Sequence, residues 1–175
     1  MGKNTVNSQQ PTAMNLDQQI EILINNAPQD GTTPQVVKAI APGLKLLAQQ
    51  LQHPGYYILQ TLDQSWVVQP FINVDQPHIK KRVIYAFSNL EDALSYGNAD
   101  SKSQIVAVPL PVTHILFQMV VLEMPDSLCF FETPNNFQSA TEIKRSEIQE
   151  LVQVYLKDYQ QRCQSKSRKI PPHIA

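Results

Sequence analysis

From Asn15 onward the chain alternates between two hydrophobic patterns. Leu16, Ile20, Leu23 and Ile24 recur at helical spacing and predict an amphipathic helix over 16–26, with Asn15 as its cap. Ala27-Pro28-Gln29-Asp30-Gly31 predicts a turn. Thr33 then caps a second helix, with Pro34 at the first helical position, where a missing N–H is harmless. Val36, Val37, Ile40, Leu44, Leu47 and Leu51 form its apolar stripe. Pro42-Gly43 either kinks this helix or splits it, because proline removes a backbone donor and clashes with the preceding turn. His53-Pro54-Gly55 ends it.

Strand patterns follow. Tyr56–Leu62 and Trp66–Ile72 are rich in aromatic and β-branched residues, and the short Asp63-Gln64 link suits a hairpin. Lys81–Phe87 predicts a third strand with Val83, Tyr85 and Phe87 on one face and Ile84 and Ala86 on the other. Both faces are apolar, which predicts a central strand. Ser88-Asn89-Leu90-Glu91 reads as a capping box opening a short helix, 90–96, that stops at Gly97. Gln104–Val108 predicts a fourth strand. Pro111–Glu123 fits helix or strand, and its length favours a helix that buries Ile115, Leu116, Met119, Val120 and Leu122. Leu128–Glu132 predicts a fifth strand and 133–140 a loop. Ser146 and Gln149 read as a second capping box, opening a helix to about Cys163 with Ile148, Leu151, Val152, Tyr155 and Tyr159 on one face.

These elements predict one α+β domain. It has a mostly antiparallel sheet of about five strands with helices packed on it, preceded by an N-terminal helical pair. The division expected along the chain is a disordered tail at 1–13, a helical segment at 14–55, the α+β domain at 56–163 and a polar, partly basic tail at 164–175. Met14 offers a second translation start.

Composition narrows the functions. Apolar residues make up 42 % of the 175-residue chain and charged residues 17 %, so Gln and Asn supply much of the polarity. A net charge of −1 provides no bulk field for nucleic acid or an anionic membrane. No apolar run approaches the ~18–20 residues that span a bilayer. The segment 1–13 lacks the apolar core of a secretory signal and the arginines of a transit peptide, which leaves the cytoplasm as the expected location. Cys129 sits in an apolar run and Cys163 near a helix end, and both are expected to be reduced, unpaired thiols.

Val83-Ile84-Tyr85-Ala86-Phe87-Ser88-Asn89-Leu90-Glu91-Asp92-Ala93-Leu94 resembles the strand and F-(T/S)-x-x-E-x-A element of the SseB-like (enhanced serine sensitivity) family. In that family a later strand carries an Asn-Pro. Here Ser127-Leu128-Cys129-Phe130-Phe131-Glu132-Thr133-Pro134 stands in its place, with Thr133 replacing the asparagine. The resemblance covers about 90 of the 175 residues, within the part from Tyr56 onward, and rests on element order and one short motif. It implies a fold with no accepted catalytic role.

The residues themselves supply little chemistry. His53, His78, His114 and His173 include no pair at i, i+4 and none beside a cysteine or a carboxylate pair, so no metal or other cofactor is expected. His114 is read as facing solvent or capping a helix start. The nucleophile elbow, the phosphate loop and the dinucleotide fingerprint are missing, and the five glycines never cluster. Cys129 between Leu128 and Phe130 lacks the exposure and basic neighbour of a nucleophile. Glu91-Asp92 reads as charge complementing a helix start. Lys80, Lys81 and Arg82 form one basic cluster and Arg162, Lys166, Arg168 and Lys169 another. They are read either as phosphate contacts or as a solvated strand edge and a solubilising tail. Tyr56, Tyr57, Trp66 and Phe71 concentrate on the expected hairpin. About half of them should face the core, leaving the rest as a candidate interaction surface. The expected function is therefore a non-enzymatic cytoplasmic module whose partner is another protein. A small-molecule-sensing regulatory domain, with its ligand between sheet and helices, and an RNA-associated factor are the alternatives.

Overall fold

The computed structural model describes residues 14–72, 74–98 and 104–168. The elements are α1 (Leu16–Asn26), α2 (Thr33–Ala48), β1 (Gly55–Thr61), β2 (Gln69–Ile72), β3 (Lys80–Phe87), α3 (Leu90–Gly97), β4 (Ile105–Pro111), α4 (Val112–Val121), β5 (Ser127–Phe131), β6 (Thr141–Lys144) and α5 (Arg145–Ser167). The expected tail at 1–13 lies outside the described residues. So does Lys169 with the rest of 169–175, whereas α5 continues four residues past Cys163.

Helix starts follow local hydrogen bonding. Asn15 caps α1 as expected, its Oδ1 accepting from the Gln18 N–H at 2.9 Å while the Gln18 side chain accepts from the Asn15 N–H at 3.1 Å. At α2 the N-cap is Thr32 instead of Thr33, and the side chain that serves the helix start is that of Asp30. Its carboxylate accepts from the Thr33 hydroxyl (2.6 Å) and from the N–H groups of Thr33 (2.7 Å) and Thr32 (2.9 Å), which lowers its pKa to about 2. At α3 Asn89 replaces Ser88 as the cap, because the Ser88 N–H is still paired to the Phe131 carbonyl and the helix begins one residue later. At α5 the second capping box is likewise displaced. β6 runs to Lys144, so Glu147 accepts from the Lys144 N–H at 2.9 Å, and Ser146 lies inside the helix.

Pro42-Gly43 neither splits α2 nor ends it; the helix runs unbroken to Ala48. Pro42 stands on the exposed side. Gly43 is buried where α5 crosses, and a Cβ there would lie 3.0 Å from the Tyr155 ring. The absent side chain lets the two helices meet.

The sheet has six strands in the order β4-β1-β3-β5-β6, with β2 pairing the start of β3. It is mixed and not mostly antiparallel: β5 runs parallel to β3. The cause is the helix placed between strands. α3 carries the chain from β3 past β1 to the outer edge, and α4 carries it back to β5, so each returning strand points the way the last one did. The sixth strand, β6, is four residues long with only Ile143 buried, too short for a periodic signal. The expected hairpin is also cut short. Gln64 takes a φ of 66° in the turn, Trp66 bridges Gln60, and from Gln69 the chain leaves β1 for β3. β3 already pairs Tyr57 and Ile58 of β1, so only the end of β1 offers a free edge. β4 extends through Pro109 to Pro111, which an outer strand tolerates.

The sheet divides two cores. On one face Tyr56, Ile58, Ile84, Ala86, Leu128 and Phe130 pack under α1, α2, α4 and α5, with Ile40, Leu44, Ile115 and Leu116 opposite them. The N-terminal helices thus share one core with the sheet. The other face carries Leu59, Phe87 and Phe131 beneath Ala93 of α3, with the Phe87 and Phe131 rings stacked at 5.3 Å. β3 is central with both faces apolar, as its pattern predicts. Pro111–Glu123 resolves as a helix; Ile115, Leu116 and Met119 are buried, and Val120 and Leu122 half-buried.

Candidate functional site

The four hairpin aromatics do not form one patch. Tyr56 is fully buried, and this takes it out of any interaction surface. Its O–H donates to Glu132 Oε2 at 2.6 Å, and its ring packs on Phe130 at 4.8 Å. Burial and the Glu132 carboxylate push the phenol well above the ordinary tyrosine range. Around this pair, His53 donates its N–H to the Tyr56 oxygen at 3.2 Å, and His53 Nε2 lies 2.8 Å from the Glu132 carbonyl oxygen. The cluster ties the end of β5 to the α2–β1 connection. Tyr57 is half-buried on the opposite face against the α3 core. Phe71, on β2, is exposed beside Lys81. Trp66 is half-buried on the face that carries the larger helices.

The basic residues form two separated groups. Lys80 is exposed, Lys81 pairs with Glu142, and Arg82 Nε lies 3.5 Å from Asp126. Arg162 pairs with Asp158 at 2.7 Å, one turn before Lys166 on α5, and Arg168 is the C-cap of that helix. The Arg145 N–H donates to the Asp126 carbonyl, so α5 starts beside the first group. The 17 residues from Arg145 to Arg162 then carry it about 25 Å away. The two groups do not make one phosphate track.

Trp66 instead opens onto a cleft of about 450 Å³ between helices and sheet. The sheet contributes Gln60 and Leu110, and the turn after β1 gives Gln64 and Trp66. Leu23, Asn26 and the Ala27-Pro28 step at the end of α1 form one wall with Thr33 and Val37 of α2. His114, Phe117 and Gln118 of α4 form the other. The sequence brings these together for a simple reason. Each helix turns its apolar stripe to the sheet, and where the stripes end at the sheet's edge, their flanking amides face one another.

One buried glutamine sets the position of the α1 wall. Gln19 has no exposed surface. Its Nε2 donates to the carbonyls of Pro54 (2.8 Å) and Met14 (3.1 Å), while its Oε1 accepts from the Thr113 hydroxyl (2.9 Å) and the Thr113 N–H (3.2 Å). The Gln19 carbonyl faces His114 Nε2 at 3.2 Å. His114 therefore neither points freely to solvent nor caps α4. It is half-buried, bonded to α1 and part of the cleft, and burial lowers its pKa below the ordinary 6.5. The signal for Gln19 was in the sequence: it lies three residues after Leu16 and four before Leu23, inside an apolar stripe. Nothing in the sequence marked Gln60 or Gln118.

Elsewhere, Asp92 of the acidic pair is buried and accepts from the Asn135 N–H at 2.9 Å, bracing the loop after β5 as well as the start of α3. Cys129 is half-buried, and burial pushes its thiol up, away from the thiolate a nucleophile needs. Among the described residues no three His, Cys, Asp or Glu side chains stand together as a metal site, and no helix is long and apolar enough to cross a membrane. Comparison with family models and with curated proteins returns no significant match to the chain.

The His114 contact sets a pH dependence. With its folded pKa depressed, neutral His114 contributes stability that is fully present above 6.5 and is lost as pH falls through 6.5 towards the lowered value. Thermal melts between about pH 7.5 and pH 5 should show a larger fall in Tm for the wild type than for His114→Gln. Parallel curves would refute this role of His114.

Proposed function

We propose that this chain is a non-enzymatic, small-molecule-sensing domain whose ligand seats in the cleft between Trp66 and α4. The carrying observation is convergence. The end of α1, the turn after β1 and α4 all contribute to one cavity lined by apolar side chains and several amides, the usual make-up of a ligand site. Its volume lies within the ordinary range for such sites. A cytoplasmic setting belongs to the same proposal and is supported by the free thiols of Cys129 and Cys163. So does the SseB-like resemblance, supported by the strand, capped helix and strand order of β3, α3 and β4.

Trp66 is the single tryptophan and reports directly on the cleft. A metabolite screen should find a ligand that raises Tm and alters Trp66 emission. A ligand at a hundred times its Kd adds about 2.7 kcal/mol to folding stability. Trp66→Ala and Phe117→Ala should each abolish the shift. A screen in which no compound moves either signal contradicts the proposal.

One observation favours the protein-binding alternative. Phe71, Ile72, Val74 and Ile79 are all exposed around the β2–β3 connection. Adjacent exposed apolar side chains of this kind serve as interface anchors. On that reading, Phe71→Ser with Ile72→Ser removes a stoichiometric partner recovered with the wild type, and Trp66→Ala keeps it. Retention of every partner by the double variant rules out the hairpin as the docking element.

A further inference from the structure

The cleft lining carries no formal charge: none of its residues is Asp, Glu, Lys or Arg. Four carboxamide residues line it, Asn26, Gln60, Gln64 and Gln118, with His114 and with Thr33, whose hydroxyl is already donated to Asp30. The His114 Nε2–H is spent on the Gln19 carbonyl. Two aromatic rings, Trp66 and Phe117, belong to the same lining.

Each feature selects for a kind of ligand. A charged group brought into a half-closed cavity loses hydration, and only a countercharge or several directed donors offset that loss. The lining has no cation to offset an anionic group, and the carboxylate bonded to its Thr33, that of Asp30, adds negative charge beside it. A carboxamide presents a donor and an acceptor side by side in one plane. That pair matches the adjacent donor and acceptor on the edge of a neutral heterocycle, as when Asn or Gln binds adenine through its N6 and N7. Aromatic side chains favour the faces of such rings, on which bases stack.

Resting on the reading of the cleft as a ligand site, we infer that its ligand is an uncharged nitrogen heterocycle, a free nucleobase or its nucleoside. The carboxamides read the ring edge, the aromatic residues bound its faces, and the phosphorylated form is rejected. The rejection is a matter of desolvation: a phosphate entering with the base finds no cation in the lining to replace its water.

Titration of the full chain, followed by Trp66 emission and calorimetry, tests this with adenine, adenosine, guanosine, uridine, adenosine monophosphate and glucose as probes. At least one base or nucleoside should bind, and adenosine monophosphate should bind at least about tenfold more weakly than adenosine if the adenine compounds are the ones recognised. Gln118→Leu and Gln60→Leu should each weaken binding roughly tenfold while leaving Tm near the wild-type value, which separates ring recognition from folding. Binding of glucose alone, or tighter binding of the monophosphate, overturns the ligand class and leaves the cleft as a ligand site. Failure of every probe here overturns the class; failure of the broad metabolite screen as well overturns the cleft itself.

Discussion

The arrangement of helices on the sheet depends on the side chain of Gln19. Its amide satisfies the carbonyls of Met14, just ahead of α1, and of Pro54, on the α2–β1 connection, and two donors of Thr113 on α4, from a position with no solvent access. A buried amide with a missing partner costs about 1–3 kcal/mol for each group left unsatisfied, so the geometry that fills all four contacts is strongly preferred. α1 alone is eleven residues, too short to be a stable helix in water without tertiary packing. Its apolar residues supply burial, and Gln19 supplies position. With α1 fixed, Leu23 and Asn26 stand opposite Gln118 and the cleft exists.

A second polar device holds the same α2–β1 connection from the side of β5. Glu132 accepts the Tyr56 hydroxyl and lies 3.4 Å from the Gln52 N–H, holding the end of β5 against the chain that leads into β1. The two devices differ in charge, and this matches their surroundings. The carboxylate stands among directed donors, whereas the Gln19 device is a neutral amide bonded to carbonyls and to Thr113, with an imidazole beside it. The low charged fraction of the chain, with glutamine and asparagine taking up the polarity, has a local counterpart in the uncharged lining of the cleft. Composition and site chemistry thus point the same way.

Elements carried by a continuous period were legible in the sequence. α1 and its Asn15 cap, the stripe of α2 and the two-faced apolar pattern of β3 follow from spacing, whereas the helix at 112–121 fitted helix or strand and was favoured by its length. Topology was not legible, because strand direction depends on where each helix delivers the chain; β5 beside β3 is a long-range outcome. Short elements such as β6 escape any periodic test. Pro42-Gly43 misled for a tertiary reason, since its role is to admit the Tyr155 ring. Trp66 was singled out as an aromatic surface residue, and its neighbours in the cleft come from segments up to 95 residues apart in the chain (Leu23 to Gln118), beyond the reach of local pattern.

The most direct test of this account is a double-mutant cycle between Gln19→Ala and Thr113→Val, read by urea unfolding through Trp66 emission. The two residues are 94 positions apart and meet only if α1 docks on α4 as described. The account predicts that each single variant loses stability and that the pair is non-additive, with a coupling of about 1–2 kcal/mol. Additivity within about 0.5 kcal/mol would contradict it, and would mean that α1 is held by its apolar face alone.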